Sequence, residues 1–214
     1  MTAPAAPAPH QGPLPRGLRF AAFVCLVLSA FTGFFALSEC LGLSQLEDTR
    51  TAANFSLVGD PELDTRIAKA QLSALRSLRE SRALFLGALS VVCSLAFVSA
   101  GRLLRPDGLP LERMRRMLAG STLAAALLRT IDGAQGAVVA RRMGPIIADA
   151  LKTLPEFQGP TAAPLEVMAW LLPATTIGFT ALIAGSFAVL GQYFQSERVR
   201  QAIHLRDGRL ANED

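Results

Sequence analysis

Four apolar stretches, each long enough to cross a lipid bilayer, constrain this chain more than any other feature. They cover about residues 18–40, 83–101, 118–140 and 167–194 of the 214 residues. Crossing a hydrocarbon core takes about 20 helical residues. Inside lipid, a helix is the simplest structure that bonds all of its own backbone polar groups. We therefore predict an all-α integral membrane protein, a four-span transmembrane helix bundle.

Composition agrees with a membrane protein and argues against nucleic-acid binding. The hydrophobic fraction is 51%, the mean hydropathy is +0.36 and the formal net charge is +4. That surplus is modest, and no aromatic residues alternate with the arginines as in a nucleic-acid groove, so we predict no nucleic-acid partner. The bias toward Arg, Ala, Leu and Pro is typical of a high-GC bacterial genome, which favours a bacterial inner membrane.

The polar segments divide the chain further. Residues 1–17 are rich in Ala and Pro, and we expect a disordered tail there. Residues 43–82 form the longest polar stretch, in which Asp60 and Pro61 are suited to begin a helix that runs into the second span. We predict an outer helical hairpin over 43–82, projecting on the non-cytoplasmic side. Residues 195–214 are predicted to form a polar cytoplasmic tail.

Small residues recur at spacings of three and four along three of the spans, and such stripes let helices approach closely. We predict that these stripes face other helices while large side chains face lipid. In the first span the stripe is Ala22, Cys25, Ser29, Gly33, Ala36 and Cys40. In the second it is Ala83, Gly87, Ser90, Ser94 and Gly101. In the fourth it is Ala174, Gly178, Ala181, Gly185 and Ala188.

The third span is the least apolar. Arg141 and Arg142 mark its predicted end, and a separate short amphipathic helix with a Pro/Gly-containing linker is expected within 143–166. The span carries Arg129 and Asp132 near its middle, where an ionised side chain costs at least about 2.5–3.5 kcal/mol. Because they are three residues apart on a helix, the two can pair.

Three interpretations of Arg129 and Asp132 remain open. They can form an internal salt bridge that fixes helix packing, or the span can shift so that Arg129 reaches an interface. Alternatively, they can form a proton or ion relay. We favour the packing or interfacial interpretation. Glu39, at the outer end of the first span, is interpreted as an interfacial carboxylate that can contact Arg141 or Arg142.

Basic residues set the predicted orientation. Eleven of them lie in the two terminal tails and the 102–117 loop, and nine lie in the other two connections. Short loops follow the positive-inside rule best, so we predict that both termini and the 102–117 loop are cytoplasmic. The arginines of that loop are predicted to contact anionic lipid headgroups, at about 1 kcal/mol each; docking of a cytosolic partner is the alternative. They are Arg102, Arg105, Arg113, Arg115 and Arg116.

No catalytic, metal or cofactor motif stands out. The two histidines, His10 and His204, lie in the tails, and the three cysteines match no zinc or redox spacing. A glycine-rich phosphate loop is absent from the sequence. We therefore predict a non-enzymatic accessory, sensing or assembly subunit, with a membrane or periplasmic protein or a second copy as its partner. The alternative is a small transporter or ion-conducting subunit that uses Arg129 and Asp132.

Overall fold

The computed structural model describes residues 15–45, 73, 75–76, 78–105, 111–152 and 163–207, and these are almost entirely helical. Helix α1 covers Arg16–Gln45, α2 Arg79–Leu104, α3 Leu111–Lys152, α4 Ala163–Gln195 and α5 Glu197–Asp207. No strand occurs among these residues, which confirms the all-α prediction. Helices α1 to α4 each contain a segment long and apolar enough to cross a membrane, as predicted. Residues 1–14 of the predicted tail and most of the hairpin predicted over 43–82 lie outside the described residues. The tail was predicted to extend to residue 17, but α1 already begins at Arg16.

The prediction of a separate short helix within 143–166 is wrong. Helix α3 continues through Arg141, Arg142 and Pro145 to Lys152, so the predicted amphipathic residues up to 152 belong to the same helix. Proline lacks a backbone N–H and withholds one intrahelical hydrogen bond, from the carbonyl of Arg141. One missing bond does not end a helix that packs against another. Here α3 packs closely on α4. A Cβ built on Gly144 would lie only 2.9 Å from both the Cα and the O of Ala169 on α4.

The chain divides into two compact units, which are described separately. Unit 1 comprises residues 1–33, 91–125 and 186–214, and unit 2 comprises residues 34–90 and 126–185. Unit 1 has a core drawn from all five helices. Its largest fully buried apolar side chains are Leu18, Leu103, Leu118, Phe187, Phe194 and Ile203.

Helix α5 packs on unit 1 through Val199 and Ile203, which are buried in this core. Residues 195–214 were predicted only as a polar tail, and the helix within them is a finding of the structure. Its signal in the sequence is the pair of apolar residues four apart in a charged segment, which share one face of a helix.

In unit 2, polar contacts to backbone carbonyls join the end of α1 to the beginning of α2. Arg79 donates from Nε to the O of Leu43 at 3.0 Å and from Nη2 to the O of Ser44 at 3.2 Å. The carbonyls at the last turn of a helix have no intrahelical donor, and basic side chains commonly bond them. The Sγ of Cys40 also approaches the O of Ala83 at 3.3 Å. These contacts place Glu39 beside the first turns of α2.

Candidate functional site

Asp132 lies at the centre of an ion-pair chain in unit 2. Its side chain is 2% exposed, and its Oδ2 lies 2.5 Å from the Nη1 of Arg129. Its Oδ1 lies 3.4 Å from the Nε of Arg82, which belongs to the first turn of α2. The Nη2 of Arg82 in turn lies 2.5 Å from the Oε1 of Glu39 on α1. We call Glu39, Arg82, Asp132 and Arg129 the ion-pair chain; it joins α1, α2 and α3.

The local sequence accounts for one part of the ion-pair chain, the pair of Arg129 and Asp132. Arg129 and Asp132 are three apart on a continuous helix, so their side chains share one face. The predicted pairing of these two residues is confirmed. Glu39, for which Arg141 and Arg142 were considered as partners, instead has its described ion pair with Arg82.

The ion-pair chain is electrically balanced and is most buried at Asp132, whereas Glu39 and Arg129 at its two ends are more exposed. It holds two carboxylates and two guanidinium groups. The exposed fraction of the side chain falls from 44% at Glu39 to 12% at Arg82. Charges removed from water need both an opposite charge and hydrogen bonds to offset their desolvation. Arg82 contacts both carboxylates, so it links the charges of Glu39 and Asp132 into one neutral group.

The contacts also locate Asp132 relative to the other spans. Glu39 ends the first apolar stretch and Arg82 immediately precedes the second. A single arginine side chain connects both positions to Asp132. Asp132 therefore lies no further than the length of one arginine side chain from the level at which the first apolar stretch ends and the second begins.

Several buried polar atoms around the ion-pair chain have no hydrogen-bond partner among the described residues. They are Arg82 Nε, Arg129 Nε, Asp132 Oδ1 and Gln135 Oε1. The 3.4 Å approach of Arg82 to Asp132 is thus a charge contact with poor hydrogen-bond geometry. Buried polar groups are ordinarily hydrogen-bonded, to protein or to ordered water. Two donors and two acceptors in one place can exchange hydrogen bonds with water or a small polar ligand.

Glycines allow α4 to approach α3 beside Asp132. An idealised Cβ on Gly133 would lie 2.6 Å from the Cβ of Thr180, closer than real carbon atoms approach. One turn further along, the corresponding position on Gly136 would lie 3.4 Å from Thr176 Cγ2 and 3.8 Å from Arg82 Nη2. Helix α4 therefore packs directly against the segment of α3 that carries Asp132.

A second cluster of charges lies in unit 1, at the beginning of α3. Arg115 donates to Glu112 from Nε at 2.8 Å and from Nη2 at 2.7 Å, a two-point contact that guanidinium and carboxylate groups favour. Its Nη1 donates to the O of Phe194, near the end of α4, at 2.6 Å. Arg116 donates from Nε to Glu112 at 2.7 Å, and the Nε2 of His204 on α5 lies 4.0 Å from the same carboxylate. The cluster ties the beginning of α3 to α4 and α5.

The arginines predicted to contact lipid headgroups do not share one environment. Arg102, Arg105 and Arg113 are exposed, so contact with headgroups remains a prediction for them. The guanidinium of Arg115 is buried and binds protein groups at all three nitrogens, so it serves the interior of unit 1. Arg116 combines both features, since it bonds Glu112 while its side chain is 71% exposed.

No protein-family model matches this chain, and neither a curated protein nor a solved structure matches it. Within the described residues, no group of three or more His, Cys, Asp or Glu side chains could hold a metal ion. The interpretation of the site therefore depends on its own geometry.

Two residues of these clusters were missed by the sequence analysis. Arg82 was counted with the polar segment before the second span, and Glu112 was not singled out among the arginines that follow it. For Glu112 a signal existed, because Arg115 and Arg116 follow it at the three- and four-residue spacings that bring helix side chains together. For Arg82 no local signal exists, since both of its partners belong to other helices.

Proposed function

We propose that this chain is a non-enzymatic integral membrane protein of a bacterial inner membrane, acting as an accessory or assembly subunit. The observation that supports this proposal is the ion-pair chain. Each of its carboxylates contacts a guanidinium group of the same protein. A site that transfers a substrate needs charges that change partners, whereas charges that neutralise one another across three helices favour one particular packing.

The test separates mutual neutralisation from any other role of Asp132. Asp132→Leu leaves two partly buried guanidinium groups with one carboxylate, and breaking a buried pair costs about 3–5 kcal/mol. The double variant Arg129→Leu/Asp132→Leu removes one charge of each sign and keeps Arg82 with Glu39. We expect the single variant to unfold at a markedly lower temperature and the double variant to recover most of the loss.

The matched control is Asp149→Leu, at the far end of α3. Asp149 is exposed and pairs with Lys152 at 3.7 Å, so its replacement should change stability by at most about 1 kcal/mol. A double variant as unstable as Asp132→Leu alone would contradict a role in mutual neutralisation.

Assembly is tested separately, by releasing the protein together with its surrounding lipid and measuring the mass of the intact particle. We expect a second copy or another membrane protein at a fixed stoichiometry. A single copy of the chain under all extraction conditions would refute the assembly proposal.

Proton or ion transport is a second candidate function, favoured by the buried polar atoms around Asp132. Water that bonds those atoms would connect groups able to relay a proton. The test uses proteoliposomes with an entrapped pH-sensitive dye and an external acid pulse. Dye quenching that requires the wild-type chain and disappears in Arg129→Leu/Asp132→Leu would support transport. A trace equal to that of protein-free liposomes would exclude proton conduction.

For orientation we propose that both termini and the 102–117 loop are cytoplasmic, because the short loop carries five arginines. Fluorescent-protein and alkaline-phosphatase fusions test this at three places: residues 106–110, residues 153–162 and the C-terminus. We expect fluorescence at the first and last of these and phosphatase activity at the middle one. The reverse pattern would invert the topology.

A further inference from the structure

An open groove of about 540 Å³ lies in unit 1, where the beginning of α3 meets the end of α4 and the first turns of α5. Three of its lining side chains are arginines, and one is an acid. Its lining includes Arg115, Arg116, Gly120, Gln195, Glu197 and Arg200.

The guanidinium groups of the groove differ in how strongly the protein engages them. Arg115 is buried and each of its three nitrogens bonds Glu112 or Phe194, so its charge is fixed in place beside the groove. Arg116 bonds Glu112 through Nε, while its exposed side chain presents the rest of the guanidinium to the groove. The Nη1 of Arg200 lies 3.7 Å from Glu197, beyond hydrogen-bonding distance. Arg116 and Arg200 are thus the two charges able to turn toward a ligand.

The chemistry and shape of the groove suit a phosphoryl group. Planar guanidinium forks bond phosphate oxygens in pairs, which a single ammonium group cannot do. Gln195 adds an amide that can donate hydrogen bonds. At Gly120 no described atom lies within 4 Å of where a Cβ would be, so the wall of the groove is open at that point.

In the proposed four-span arrangement the groove lies at the level of lipid headgroups. Its arginines stand just before the apolar stretch that begins at Leu118 or just after the stretch that ends at Phe194, and Gly120 lies in the first turn of the former. We propose that this groove binds the phosphoryl group of an anionic ligand, through Arg116 and Arg200. This inference rests on the proposed membrane location, but not on the proposed assembly role. A membrane lipid and free phosphate share the recognised chemistry, and the experiment distinguishes them.

The experiment places the full chain in nanodiscs of phosphatidylcholine alone, in the same discs with added phosphatidylglycerol, and in phosphatidylcholine discs with inorganic phosphate in the buffer. Thermal unfolding and the number of lipids retained in native mass spectrometry are measured. Phosphatidylglycerol should raise the unfolding temperature of the wild type. If only phosphatidylglycerol does so, the ligand is a lipid; if inorganic phosphate does so as well, the groove recognises the free anion.

Matched variants separate the groove from general surface charge. Arg116→Gln and Arg200→Gln each remove one groove charge, and we expect binding of the anionic ligand to weaken about tenfold in each. Arg198→Gln removes the same charge from an exposed neighbour of Arg200 on α5 that does not line the groove. This control should bind as the wild type does.

Gly120→Leu fills the groove without changing any charge or touching the Glu112 contacts, so it remains informative if Arg116→Gln fails to fold. We expect it to abolish the stabilisation by phosphatidylglycerol. Equal losses in groove and control variants, or no loss in any of them, would overturn the proposal. Because the isolated chain is used, and the residues of unit 2 are unchanged, this result is independent of the ion-pair and assembly tests.

Discussion

Replacing Gly133 by alanine tests the close contact of α3 and α4 in unit 2 with a single methyl group. The added Cβ would lie 2.6 Å from the Cβ of Thr180, whereas carbon atoms pack at about 3.5–4.0 Å. The helices must therefore separate by about 1 Å at this level. Thr180 cannot turn its side chain out of the way, because the clash involves its Cβ and a β-branched residue on a helix is stiff.

Overpacking of this kind costs about 1–3 kcal/mol, and we expect the upper half of that range since no flexible side chain can yield. The intrinsic preference of helices for alanine over glycine offsets up to about 1 kcal/mol. At about 2–4 °C per kcal/mol for a chain of this size, the unfolding temperature should fall by several degrees.

A thiol-reactive fluorogenic maleimide measures this unfolding in detergent. In a Cys25→Ala/Cys93→Ala background only Cys40 remains, between α1 and α2 of unit 2. The control is Gly178→Ala on α4, where no described atom lies within 4 Å of the added methyl group. It should be neutral or stabilising. Combining Gly133→Ala with Thr180→Gly should restore stability. Equal stability of Gly133→Ala and the control variant would refute the contact.

Three further outcomes are expected, each measured by thermal unfolding in detergent. Glu112→Gln leaves a buried guanidinium without its carboxylate and should cost about 3–5 kcal/mol, whereas the exposed Glu197→Gln should cost at most about 1 kcal/mol; similar effects would contradict the buried pair. Gly144→Ala meets the backbone of α4 and should lower stability by about 1–3 kcal/mol, unlike Gly120→Ala in open space. Arg79→Gln removes two hydrogen bonds to the last turn of α1 and should cost about 1–2 kcal/mol; no change would show that water satisfies those carbonyls equally well.

The small-residue stripes show what the sequence could and could not predict about helix packing. The stripe of the first span is confirmed: Ala22, Cys25, Ser29 and Ala36 are buried, and the large aromatic residues between them are exposed. For the second span the prediction is displaced by about one residue, because Ser94 is exposed and its neighbour Cys93 is buried.

For the fourth span the predicted stripe does not pack against another helix of this chain. Gly178, Ala181 and Gly185 are exposed, and the buried face instead includes Thr180 and Phe187. A stripe of small residues permits close approach but does not require it. The small residue that lets α4 pack closely belongs to the neighbouring helix, because Thr180 of α4 packs against Gly133 of α3. Which helix provides the glycine cannot be read from one helix alone.

Pro173 and Gly144 illustrate a related limit. A proline on a helix frees the carbonyl four residues earlier, which in α4 is that of Ala169. Gly144 of α3 packs on that same residue, at the position next to Pro145. Each proline alone would be interpreted as an interruption of its helix. Together with the glycine they mark the level at which the two backbones touch, in the part of α3 that lies beyond Arg141 and Arg142.

Arg82 shows why the pairing of Asp132 was only half predictable. Hydropathy assigns a charge to the depth of its Cα, yet an arginine carries its charge at the end of a long, mostly apolar stem. Arg82 stands immediately before the second apolar stretch, where its Cα is at the edge and its guanidinium reaches both Glu39 and Asp132. The insertion cost given for Asp132 from sequence is that of an ionised side chain among apolar groups. With Arg82 present, the carboxylate of Asp132 has a guanidinium group near each of its oxygens. Substitutions that remove one acidic residue and one arginine together should therefore destabilise the protein less than substitutions that remove a single charge.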